Sequence, residues 1–117
     1  GLKCLAELHT WEQTNLPFIN SSSGRALYFS VIEHFLLEDV VEALPLKSFQ
    51  AHLSDRATRL RIRDFEQMGL LVVEDSESDH RSKTISPTPK LWDLFNQHNM
   101  AMGGVFGKRF NYFGKNL

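Results

Sequence analysis

The sequence predicts a mostly helical α+β fold, a three-helix core carrying a two-stranded β-hairpin, with flanking segments at both ends. Three observations predict it. Apolar residues recur at spacings of three and four through residues 24–37 and again at Thr58, Ile62 and Phe65, the signature of helices with one buried face. The second of these stretches is bracketed by Ser54, a strong N-cap, and Gly69, a left-handed C-cap. Two short β-prone runs, residues 70–74 and 81–85, then flank a polar turn at 75–80.

Each element follows from local chemistry. Leu2, Leu5, Ala6 and Leu8 fall at near-helical spacing and Pro17 stops the run, so residues 2–13 form a short amphipathic helix. Residues 20–24 read as a linker, with Ser22 or Ser23 as the cap of the next helix. That helix, over 24–37, carries the stripe Leu27, Tyr28, Val31, Ile32, Phe35 and Leu36 and is the central core helix. Residues 38–44 fit either its continuation or a loop, and Pro45 marks the boundary. Residues 46–53 suit a short helix with Phe49 and Leu53 inward. The helix capped by Ser54 runs to about Met68, with Asp55 at the positive end of its dipole. After the hairpin, Pro87 and Pro89 punctuate, Thr88 caps, and Leu91, Trp92, Leu94 and Phe95 mark a final helix of two or three turns. Two helices joined by a short turn and followed by a hairpin are the outline of a helix-turn-helix with a wing. The chain divides into an N-terminal helix and linker (1–20), the winged helix (21–99) and a C-terminal tail (100–117).

Composition bounds the function. A chain of 117 residues, 42% of them apolar, suits one compact domain. No apolar run approaches the roughly 18 to 20 residues of a membrane span, and the N-terminus lacks the layout of a signal peptide, so a soluble, cytoplasmic protein is expected. The single cysteine, Cys4, cannot form an internal disulfide and reads as a small packing residue. Histidines 9, 34, 52, 80 and 98 lack metal-site spacing, and neither a phosphate-binding glycine loop nor a nucleophile elbow occurs. His34 reads as a satisfied core histidine, and Glu38, Asp39 and Glu42 as a solvated acidic turn. No catalysis, metal or cofactor is expected.

The charge is segregated along the chain. The 13 basic and 14 acidic residues nearly cancel, unlike the strong positive charge of many nucleic-acid-binding domains. Yet residues 56–63 hold four arginines and no acid, while 33–42 hold four acids and one histidine. If Thr58, Ile62 and Phe65 are buried, a 3.6-residue period places Arg56, Arg59 and Arg63 together on the opposite face. Three guanidinium groups there suit a major groove, where they donate to guanine O6 and N7 or pair with phosphate. Leu60 shares that face, either touching a thymine methyl or, on another phase, joining the core. Arg61 lies toward the buried edge, in reach of Asp64 or Asp55. On an arbitrary helix such arginines would form a solvated face paired with Asp55, Asp64 and Glu66. The capped helix, the short helix before it and the hairpin after it favour DNA.

Residues 44–95 resemble the winged-helix domain of the MarR family of bacterial transcriptional regulators. The resemblance rests on Phe65-Glu66-Gln67-Met68-Gly69-Leu70-Leu71 at the end of the arginine-rich helix, on Asp79-His80-Arg81 in the hairpin, and on Ile85-Ser86-Pro87-Thr88 at the last helix start. It covers under half of the chain. It implies that Arg56, Arg59 and Arg63 read double-stranded DNA, that Arg81 enters the minor groove with Asp79 orienting it, and that Lys47 and Lys83 contact phosphates. An ordinary hairpin ion pair is the plain alternative for Asp79 and Arg81.

The family dimerises through helices at both ends. Here the tail holds four glycines and four aromatics, a composition poorly suited to a long helix or to a small-molecule pocket between dimerisation helices. The tail either extends across a partner, touches nucleic acid through Lys108, Arg109 and Lys115, or lacks order. A homodimer is expected through the N-terminal helix and this segment, because Leu2, Leu5, Leu8, Phe106, Phe110, Tyr112 and Phe113 exceed what one small domain readily covers. The competing function is a winged-helix module that binds protein rather than DNA, which the near-zero net charge and the aromatic tail favour.

Overall fold

The computed structural model describes residues 2–37, 42–49, 53–76 and 82–103. The order is α1 (Leu2–Asn15), α2 (Ser22–Val31) running into a π-helical segment (Ile32–Leu37), β1 (Leu44–Pro45), a 3-10 turn (Leu46–Phe49), α3 (Asp55–Gln67), β2 (Leu71–Asp75), β3 (Lys83–Pro87) and α4 (Pro89–Ala101). The strands form one antiparallel sheet in the order β1-β3-β2. The architecture is the expected mostly helical α+β winged helix.

The reversal between α1 and α2 sets the first packing contact. Pro17 ends α1, and residues 17–20 turn through Ile19 N–H to Leu16 C=O (3.0 Å) and Ser21 N–H to Phe18 C=O (3.1 Å). This delivers Ser21 in an extended conformation, and its Oγ accepts from Gly24 N–H at 3.1 Å. The cap is therefore Ser21, not Ser22 or Ser23, which already belong to the helix. Gly24 lies so close to the turn that a Cβ there would meet Phe18 O at 2.8 Å. Phe18 then lays its ring between Tyr28 (centroids 5.0 Å) and Phe65 (4.6 Å). Downstream, His34 Nδ1 sits 2.8 Å from the Ser30 carbonyl, the acceptor a regular α-turn would offer the His34 backbone, and the helix widens to π geometry there.

The sheet has one strand more than the sequence suggested. Of the ambiguous residues 38–44, Leu44 enters β1, pairing with Ile85, while Pro45 pairs with Thr84. Proline is tolerated because β1 is an edge strand with no ladder donor to lose on its open side. The short helix expected over 46–53 is a single 3-10 turn among the described residues; Leu46 and Phe49 are buried and Leu53 is partly so. The hairpin strands start later than expected, at Leu71 and Lys83, and pair from Leu71↔Pro87 to Asp75↔Lys83.

The start of β2 is set by the way α3 ends. Gly69, at φ 76°, lets its own N–H reach Glu66 C=O (2.9 Å) and the Leu70 N–H reach Phe65 C=O (2.9 Å), a Schellman closure that uses Leu70 before the strand begins. The next helix locks onto this cap. The Thr88 hydroxyl accepts from Leu91 N–H (3.3 Å) and donates to Gly69 C=O (2.6 Å), while Lys90 Nζ donates to Met68 C=O (2.6 Å). Among the described residues, no buried side-chain polar atom lacks a partner.

Gly24→Ala should lower stability by about 1 to 3 kcal/mol, since the added methyl meets backbone and outweighs the helix-propensity gain of roughly 1 kcal/mol. A denaturant midpoint equal to or above that of the parent would contradict the close approach.

Candidate nucleic-acid interface

The arginine-rich helix takes the expected phase. Ser54 caps α3, its Oγ accepting from Ala57 N–H at 3.1 Å, and Thr58 donates its hydroxyl to Ser54 C=O at 2.9 Å. Thr58, Ile62 and Phe65 are buried. Arg56, Arg59, Leu60 and Arg63 are exposed. Leu60 is 48% exposed, so of its two readings the core position is excluded.

Arg61 leaves this face. Its Nε donates to Ser23 Oγ at 2.7 Å and its Nη1 to Asp64 Oδ2 at 3.1 Å, so it braces α3 against the first turn of α2. The sequence indicated Asp64 but not Ser23, because a contact across 38 residues leaves no local pattern. The cap on Ser21 is what places Ser23 inside the helix, where its hydroxyl meets this guanidinium and lies 3.0 Å from Ser21 Oγ.

Three of the named cations converge. Lys47 from the 3-10 turn, Arg59 from α3 and Lys83 from β3 line one concavity of about 270 Å³, together with Asp55 and Ser82. It opens beside the N-terminal half of α3, toward the turn end of the β2–β3 ladder, where Lys83 pairs with Asp75. Two carboxylates lower its positive charge: Asp55 accepts from Arg59 Nε at 3.0 Å, and Asp75 pairs with Lys83. The side chains of the first pair are 54% and 63% exposed, so the pair is worth little and is open to exchange. Asp64, turned toward Arg61, is not among the residues lining the concavity. Arg56 and Arg63 do not line it either, and stand on the outer face of α3. Asp79 and Arg81 lie outside the described residues.

Among the described residues, no group of three or more His, Cys, Asp or Glu could hold a metal ion, and no helix is long and apolar enough to cross a membrane. The surface offers donors and cations: three around a hollow and two, with Leu60, on an exposed helix face.

No protein-family model matches the chain, and no curated protein matches it. Solved structures do. The heme sensor protein PefR from Streptococcus agalactiae, in complex with heme, superposes with a TM-score of 0.60 at 14% identity, covering 89% of this chain and 74% of PefR. The transcriptional regulator PA4135 superposes with a TM-score of 0.59 at 13% identity, covering 91% of this chain and 75% of PA4135. At such identity the likeness is one of backbone architecture, and the chain has the winged-helix fold it shares with these two proteins.

Proposed function

We propose that this chain is a sequence-specific DNA-binding transcriptional regulator of the MarR-like winged-helix kind, with α3 in the major groove and the wing in the minor groove. The observation that carries the reading is the convergence of Lys47, Arg59 and Lys83, from three separate elements, beside the exposed face of a capped helix. Three cations around one hollow suit a backbone phosphate, whose oxygens would replace Asp55 and Asp75 as their partners. In this proposal Arg59, grouped by the sequence with the base readers, belongs with the lysines on phosphate. Arg56, Leu60 and Arg63 are left to meet base edges, the arginines on guanine and the leucine on a thymine methyl. Arg81, oriented by Asp79, would enter the minor groove. The solved structure of a transcriptional regulator with this fold supports the reading by analogy.

A homodimer is part of the proposal. Leu5 on α1 and Met100 on α4 are 63% and 65% exposed, and both line a groove of about 460 Å³ between the two helices. A second copy covering this face would make a dimer, and reading a pseudo-palindrome over successive major grooves would require its two α3 helices about 34 Å apart. Light scattering at micromolar concentration should give twice the chain mass, and a monomer would remove this part.

The carboxylates in the hollow favour the second reading, a winged-helix module that binds protein, so the test separates the two. A shift assay with genomic fragments, followed by sequencing of the bound DNA, should yield a defined site. On that site Arg56→Ala should lose roughly 1 to 3 kcal/mol and little on random DNA. Lys83→Ala should weaken both kinds of DNA alike and flatten the salt slope by about one unit. Arg81→Ala should lose most on sites with A·T-rich flanks, where the minor groove is narrow. If all three variants bind as the parent does, the protein-binding reading takes over.

A further inference from the structure

One buried imidazole joins three helices. His98 on α4 is 0% exposed; its Nε2 lies 2.9 Å from Glu12 Oε2 on α1, and its Nδ1 lies 2.7 Å from the Tyr28 hydroxyl on α2. The Trp11 ring, also on α1, stacks on it at 5.3 Å and 12°. A carboxylate only accepts, so Nε2 carries the hydrogen; the neutral ring then accepts at Nδ1 from the Tyr28 O–H. Both ring nitrogens are satisfied in this neutral tautomer.

A second proton would break the arrangement. It would sit on Nδ1, facing the hydrogen of the Tyr28 hydroxyl, and the phenol would have to turn that hydrogen away and give up its bond to the ring. Tyr28 cannot escape by ionising, because burial and the Glu12 charge push its phenol well above the usual range. The charges acting on the imidazole come from both partner helices. Burial is the largest effect and lowers the His98 pKa; Glu12 on α1 opposes it, and Arg25 on α2 reinforces it.

We propose that Glu12, Tyr28 and His98 form an acid-released latch that holds α1 on the winged-helix core. The sign follows from linkage. With α1 docked, the ring is covered by Trp11 and resists protonation; release of α1 uncovers it to water and moves its pKa up toward the ordinary value of about 6.5. Docking is therefore at full strength above about pH 7 and weakens as the pH falls through that value, until the docked ring also takes up a proton. Release would open the α1–α4 groove, which Trp11 lines beside the latch. The proposal stands independently of DNA binding.

The test uses the full chain and two readouts, hydrogen exchange of α1 amides and the NMR titration of the His98 ring. Between about pH 7.5 and 5.5, α1 exchange, corrected for its intrinsic pH dependence and referred to α3, should rise severalfold, up to the roughly tenfold that a released pKa of about 6.5 allows by pH 5.5. The docked ring should titrate below the ordinary histidine value. His98→Gln, which keeps a donor for Glu12 but does not titrate, should hold α1 at neutral pH and lose the acid response. Glu12→Gln, which removes the favourable charge, should move the ring midpoint to lower pH. The latch is overturned by a parent chain whose α1 protection does not change with pH, by a His98 midpoint at or above the ordinary value, or by a His98→Gln chain that keeps the parent's acid response. The first two outcomes are read on the parent, so a variant that fails to fold leaves the test intact.

Discussion

The ring of Phe18 fixes how α3 lies on the rest of the molecule. It fills the space between Tyr28 of α2 and Phe65 of α3, while its own backbone presses on Gly24 at the start of α2. Close-packed aromatic rings do not yield gradually, so α3 cannot roll about its axis without displacing both neighbours. The contact holds the buried stripe of Thr58, Ile62 and Phe65 inward and keeps Arg56, Leu60 and Arg63 on the outward face. Arg61 reinforces it through its bond to Ser23.

The C-terminal end of α3 is held as firmly. Gly69 closes the helix, Thr88 and Lys90 bond the last carbonyls, and the chain between them forms the hairpin. The base of the wing is thereby tied to the end of α3 and, through β1, to the 3-10 turn that carries Lys47. This is why three cations from distant parts of the sequence meet in one hollow. Like charges so placed repel one another, and Asp55 and Asp75 offset the repulsion at the surface, where such pairs are weak enough to be exchanged.

The imidazole of His98 adds a directional contact to an otherwise apolar core. Apolar packing tolerates small slips, whereas two hydrogen bonds to one ring accept a single arrangement of α1, α2 and α4. The same directionality makes the junction sensitive to the protonation state of one residue, which hydrophobic contacts would not be.

Local chemistry in the sequence determined the helices, their caps at Ser54, Thr88 and Gly69, and the phase of α3, because periodicity and capping act within a few residues. It also determined the hairpin strands to within a few residues. It left open what depends on residues far apart. The cap of α2 moved to Ser21 because the turn before it, not the serine run, decides which residue is extended. Strand β1, two residues long, has no pattern of its own and exists only because Ile85 and Thr84 offer a partner. The hollow of Lys47, Arg59 and Lys83, the brace from Arg61 to Ser23 and the Glu12–His98–Tyr28 junction join residues up to 86 positions apart. No local propensity encodes such contacts; the tertiary packing around Phe18 and the sheet decided them, because only a closed core brings those side chains within hydrogen-bonding reach.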